Sequence, residues 1–163
     1  MRCGEVVHER ELPADPAATE RLGAWLGEHL VPGDVLGLVG ELGAGKTTLV
    51  RGLARGLGVD DPDAVSSPTY LLVIEHPGRA RLLHADAYLP GKLLAFLDDG
   101  GLEYLVDPTA VVVVEWADRV RQHLPARTLW LELGMAPGGG RHVRLTTAGA
   151  TDYPWLAALP KMP

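Results

Sequence analysis

Apolar positions along the chain fall either into short continuous runs or into helically spaced sets, so the pattern predicts strands and helices taking turns. Residues 5–9 read as a short edge strand. Residues 16–30 carry Leu22, Trp25, Leu26 and Leu30 on one helical face. Asp15-Pro16 caps that helix and Val31-Pro32-Gly33-Asp34 stops it. The run Val35-Leu36-Gly37-Leu38-Val39 predicts a buried strand, and the amphipathic stretch from Thr48 a helix ending near Gly56 or Gly58. Residues 60–68, rich in Asp, Pro and Ser, predict a mobile loop. Residues 70–75 and 81–87 predict an antiparallel hairpin turning at His76-Pro77-Gly78-Arg79. A helix is expected over 92–105, interrupted by Asp98-Asp99-Gly100-Gly101, and a buried central strand over 110–115. A short helix over 119–124 and two strands, 127–133 and 142–146, joined at Gly138-Gly139-Gly140, complete the pattern. The expectation is a single α/β domain over 1–148, a central mixed sheet flanked by helices, then a proline-rich tail over 149–163 docked through Trp155 and Leu156.

Between the strand ending at Val39 and the helix starting near Lys46 lies Gly40-Glu41-Leu42-Gly43-Ala44-Gly45-Lys46-Thr47, which matches G-x-x-x-x-G-K-[ST]. The strand–loop–helix setting distinguishes a phosphate-binding loop from a glycine-rich turn. Glycines let successive backbone N–H groups curl around an anion, and the helix points the positive end of its dipole at the same place. Lys46 is placed to reach the β- and γ-phosphates, and the Thr47 hydroxyl to take one position on Mg²⁺. The predicted fold is therefore the three-layer fold of P-loop nucleotide hydrolases.

Composition narrows the setting. The chain has 163 residues, of which 47% are hydrophobic, enough for one packed core. Its longest aliphatic run, residues 110–114, is far below the roughly 20 residues that span a membrane. The N-terminus lacks a secretory pattern and Cys3 is the single cysteine, so a soluble cytoplasmic protein without an internal disulfide is expected. A net charge of −6 makes a poor general nucleic-acid binder, so any RNA would be contacted mainly by other chains. The sequence contains no asparagine, which excludes a guanine-reading Asn-Lys-x-Asp motif and favours ATP.

A nucleotide site of this type needs a carboxylate at a strand end beside the loop. Two are offered: Asp86 after Arg81-Leu82-Leu83-His84-Ala85, and Glu115 after Val111-Val112-Val113-Val114. One would hold the metal while the other positions water or accepts its proton, and Glu115 follows the stronger buried-strand signal. Ser67-Pro68-Thr69 lies where nucleotide switches place a residue sensing the γ-phosphate. A small-molecule kinase, with Asp86 deprotonating an acceptor hydroxyl, and a non-catalytic ATP-gated binding module are the rival classes.

Taken in order, the phosphate loop, Ser67-Pro68-Thr69-Tyr70, His84-x-Asp86-x-Tyr88 and Val114-Glu115-Trp116 resemble the bacterial TsaE (YjeE) family, from about Thr19 to Leu145. That family is the ATPase of tRNA threonylcarbamoyladenosine biosynthesis. The resemblance implies ATP and Mg²⁺ as ligands, with Thr47 and Glu115 on the metal. It implies that Glu41, Leu42, Gly43, Ala44, Gly45, Lys46, Thr47 and Thr48 hold the phosphates and that Thr19 lies near the nucleotide. Lys46, Asp86 and Thr69 become the catalytic set, with 67–69 a switch-like stretch. TsaB and TsaD proteins are the implied partners, and tRNA is met only through them. The chain departs from the family where Leu89-Pro90-Gly91, not arginine, follows Tyr88; Arg119 and Arg121 are the candidates to stand in.

Overall fold

The computed structural model describes residues 5–68, 72–101, 105–149 and 151–161. Seven strands form one mixed sheet: β1 (Val6–Leu12), β2 (Val35–Val39), β3 (Val73–His76), β4 (Leu82–Asp86), β5 (Val111–Glu115), β6 (Leu129–Met135) and β7 (Arg141–Thr147), in the order β1-β7-β6-β2-β5-β4-β3. Strands β6, β2, β5 and β4 run parallel; β7 and β3 flank them antiparallel, and β1 pairs antiparallel with β7 at the outer edge. Residues of β2 and β5 are apolar on both faces, the pattern of strands covered above and below.

Helices α1 (Pro16–His29) and α2 (Lys46–Leu57) cover one face; α3 (Pro90–Phe96) and a 3-10 segment, Ala117–His123, cover the other. The Asp15 carboxylate accepts from the Ala17 N–H at 3.0 Å with Pro16 behind it, which fixes the start of α1. Gly58, at φ 73°, ends α2 in the left-handed cap that glycine adopts without a Cβ penalty. The two helices meet through glycines: a Cβ on Gly23 or Gly27 would strike the backbone of α2, and one on Gly52 or Gly56 the backbone of α1. The contact therefore seats α2, the helix that follows the 40–47 loop, directly against α1.

Several boundaries differ from the sequence pattern. Strand β3 begins at Val73 because Leu72 sits at φ 68°, which is not extended backbone; Tyr70 lies outside the described residues. Helix α3 starts at Pro90, two residues before the expected start, and its α-helical path ends at Phe96. There a wider π-type turn, Leu97–Gly101, carries the Asp-Gly cluster that was expected to interrupt it; residues 102–104 of the expected helix lie outside the described residues. The expected short helix after β5 is a 3-10 segment, since Trp116 is left-handed and Val120, at φ −129°, interrupts the helical path. The 60–68 stretch contains a 3-10 turn, Pro62–Ala64, and buries Val65 in the core. Tyr153, Leu156 and Leu159 pack into the α1–α2 core, and the Trp155 ring stacks on His29. Among the described residues no helix is long and apolar enough to cross a membrane.

Candidate functional site

The site lies where β2, β4 and β5 end in parallel and α2 begins. Gly43 and Gly45, at φ 81° and 110°, turn the 40–47 loop through conformations that L side chains rarely adopt. Lys46 is the first residue of α2 and is buried. Its Nζ donates to the carbonyl oxygens of Gly40 and Glu41, the latter at 2.9 Å, and lies 4.1 Å from the centroid of the Trp116 ring. Burial lowers the ammonium pKa, while Glu115, Asp86, Glu41 and Asp118 oppose that shift.

Glu115 ends β5 and Asp86 ends β4, and strand register sets the two residues opposite each other. Residues 84 and 86 share one face of β4, the face turned toward α2. Each Glu115 oxygen has its own partner. Oε1 accepts from the Thr47 hydroxyl at 3.1 Å, and Oε2 lies 2.7 Å from His84 Nε2. Asp86 is held as well, accepting among the described residues from the Ser67 hydroxyl at 2.9 Å through Oδ2 and from the Tyr88 N–H at 2.7 Å through Oδ1.

A cleft of about 490 Å³ opens on this cluster, lined among others by Leu42, Gly43, Gly45, Lys46, Thr47, Thr48, Ser67, Glu115 and Trp116. On the other side of the loop a hollow of about 280 Å³ is bordered by Asp15, Thr19, Gly43, Ala44, Gly45, Thr48 and Arg141. Thr19 thus reaches the loop from α1, opposite the carboxylates. Glu41 and Leu42 form the outer lip, with Leu42 among the most exposed apolar side chains at 83%. Thr69 lies outside the described residues; Ser67, two positions earlier, reaches Asp86.

Two side chains, His84 and Arg141, take places that sequence pattern did not assign, and Arg119 joins them as one of the two arginines considered as stand-ins. His84 stands behind Glu115. Arg141, from the β6–β7 hairpin, donates to the Ala44 carbonyl at 2.8 Å and braces the loop from outside. Arg119 donates to the Tyr88 carbonyl, its guanidinium 4.6 Å from the Trp116 ring centroid. Of the two arginines considered as stand-ins, Arg119 is therefore at the site, whereas Arg121 lies 3.8 Å from the Trp130 ring centroid, outside the cleft.

The donor set suits Mg²⁺. Thr47 and Glu115 offer hard oxygen donors side by side, and among the described residues no group of three or more His, Cys, Asp or Glu could hold a metal by itself. A two-donor protein site completed by phosphate oxygens and water is how Mg²⁺ is commonly held.

Comparison with known proteins now decides the family. The sequence pattern described as "Threonylcarbamoyl adenosine biosynthesis protein TsaE" matches residues 13–143. The chain belongs to the TsaE family. The tRNA threonylcarbamoyladenosine biosynthesis protein TsaE of Treponema pallidum is 40% identical over 125 residues, covering 77% of this chain and 90% of the relative. The TsaE protein of Mycobacterium leprae is 40% identical over 169 residues, covering 97% and 94%. A crystal structure of YdiB from Bacillus subtilis superposes with a TM-score of 0.71 at 29% identity, covering 95% of this chain and 93% of that one. The fold is accordingly the three-layer α/β fold expected, and the family places the chain in tRNA threonylcarbamoyladenosine biosynthesis.

Proposed function

We propose that this TsaE-family chain is a cytoplasmic, Mg²⁺-dependent ATP hydrolase. Its turnover drives the working cycle of a TsaB–TsaD partner complex during threonylcarbamoylation of adenosine 37 in tRNA. The observation that carries the proposal is the junction of Thr47 and Glu115, oxygens 3.1 Å apart beneath the glycine loop, with Asp86 opposite Glu115 in register.

The chemistry follows from where the groups stand. Loop amides and the N-terminus of α2 receive the β- and γ-phosphates. Lys46 exchanges two backbone carbonyls for phosphate oxygens, moving its charge onto a stronger partner. Thr47 and Glu115 hold Mg²⁺, which when bound neutralises charge on the phosphate oxygens. Asp86 accepts a proton from water as the water oxygen forms its bond to the γ-phosphorus. The bond from that phosphorus to the bridging oxygen breaks, and ADP departs with the electron pair. Ser67, hydrogen-bonded to Asp86, ties the loop after α2 to this step. Thr19 and the Arg141 side of the loop border the remainder of the nucleotide.

Arg119 is engaged with Tyr88 and Trp116, and a free cation at the transferring phosphate contributes roughly 10³–10⁵ in rate in related chemistry. Turnover by the lone chain is therefore slow, and the partners accelerate it. The test is phosphate release with and without purified TsaB and TsaD proteins and tRNA. Stimulation by the partners is expected. Equal turnover with and without them, or a phosphorylated metabolite instead of free phosphate, would overturn the proposal.

A further inference from the structure

Glu115 meets His84 in the interior of the sheet, where both side chains are essentially inaccessible, 3% and 0% exposed. A carboxylate oxygen can only accept, so the proton in the 2.7 Å contact belongs to His84 Nε2. The other ring nitrogen, Nδ1, is buried with no hydrogen-bond partner among the described residues. Among the described residues the imidazole thus directs its one hydrogen bond at Glu115. A histidine kept only to fill space would leave two polar nitrogens in an apolar environment, where leucine fits at lower cost.

We propose that His84 is the positioning residue for Glu115 in metal binding. A glutamate at a strand end can turn about its terminal bond, which would carry Oε1 away from Thr47. His84 prevents this by holding Oε2 from behind, within the sheet, so that Oε1 stays on the cleft side beside the Thr47 hydroxyl. The strands fix His84 in turn: in register it is flanked by Ile74 on β3 and Val113 on β5, and its ring centroid lies 6.3 Å from that of His76. Orientation of a metal ligand by a partner behind it is typically worth 10–100-fold in metal affinity.

The inference rests on the assignment of Glu115 to Mg²⁺, and the experiment separates the two. A fluorescent, non-hydrolysable ATP analogue is titrated onto the full chain with Mg²⁺ varied, and again in EDTA. For the unsubstituted protein, Mg²⁺ must tighten binding; if it does not, the metal assignment fails and the role of His84 fails with it. His84→Leu is expected to raise the Mg²⁺ concentration for half-maximal binding by about 10–100-fold while leaving affinity in EDTA unchanged. His84→Gln, whose amide can donate where Nε2 stands, is expected to recover most of that loss. The effect of His84→Leu should also vanish in a Glu115→Gln background, because coupled residues are not additive. Should His84→Leu fail to fold, His84→Asn takes its place, since its amide falls short of Glu115, and the same Mg²⁺ shift is expected. Equal behaviour of the Gln variant and the Leu or Asn variant would overturn the proposal, as would an equal loss of binding in EDTA.

Discussion

Lys46 Nζ lies 4.1 Å from the centroid of the Trp116 ring while donating to the carbonyl oxygens of Gly40 and Glu41. The ammonium is folded back across the loop that would receive phosphate, and the indole stabilises it there. Trp116 is itself held in the left-handed region at φ 58°, at a cost of order 1–3 kcal/mol. Phosphate must draw Lys46 off the ring, so ATP should change tryptophan emission even though Trp25, Trp130 and Trp155 also contribute. In Trp116→Phe that change is expected to disappear while nucleotide still binds. An undiminished signal in the variant would trace the change to the other tryptophans and remove the Lys46–Trp116 contact as its source.

Lys46→Ala removes the one ammonium that the loop presents. A charge-assisted hydrogen bond contributes about 1.5–3 kcal/mol, so ATP affinity should fall by roughly 10–150-fold. Isothermal titration with ATP and Mg²⁺ measures it.

Asp86→Asn keeps the Tyr88 N–H and Ser67 contacts within reach but cannot take a proton from water. General-base assistance is typically worth 10²–10⁴-fold, so turnover in the partner complex should fall by about that factor while ATP affinity changes little. Comparable losses in affinity and turnover would transfer Asp86 from catalysis to binding.

Much of this site was legible because its parts are local. The glycine loop, its strand and its helix are contiguous, Glu115 follows four valines that read as an interior strand, and Asp86 ends the strand-like run Leu82-Leu83-His84-Ala85. The sheet order was not legible: nothing local states that β2 inserts between β6 and β5. His84 was hidden for a related reason. Its burial follows from neighbours on both β3 and β5, although its spacing two before Asp86 already put both on one face. Arg141 is 97 positions from the carbonyl it braces, beyond any pattern of spacing. Gly23, Gly27, Gly52 and Gly56 look like weak points in two helices until the helices are placed face to face.

His76 predicts a pH dependence of stability. It is buried, its Nε2 has no hydrogen-bond partner among the described residues, and burial together with nearby His84 lowers its pKa below 6.5, with Asp61 opposing. Between the folded value and 6.5 the unfolded chain binds more protons than the native one, so stability rises with pH across that window. It is lost as pH falls through the same window. Thermal melts between about pH 8 and pH 5 should show a smaller acid-side drop in His76→Phe than in the parent. Parallel profiles would remove His76 as the source.

The glycine contact between α1 and α2 sets two effects against each other. Alanine is favoured over glycine in a helix interior by about 1 kcal/mol, so Gly52→Ala considered alone should stabilise. The added methyl, however, would run into the backbone carbonyl, carbonyl carbon and Cα of Glu20, none of which is a flexible side chain. Overpacking of this kind costs about 1–3 kcal/mol and sometimes more, and relief requires the helices to separate. The clash should therefore win. We expect Gly52→Ala to lower the melting temperature by about 2–4 °C for each kcal/mol of net loss. Gly91→Ala is the control, since nothing lies within 4 Å of a Cβ added there in α3, and it should be neutral or stabilising. Separation of the helices has a second consequence. Thr19 rides on α1 and Lys46 opens α2, so any shift also widens the hollow that Thr19, Gly45 and Thr48 border. Gly52→Ala should consequently weaken ATP binding without touching the cleft itself, and Gly91→Ala should not. If Gly52→Ala melts higher than the parent, the close contact is not what holds the two helices in register.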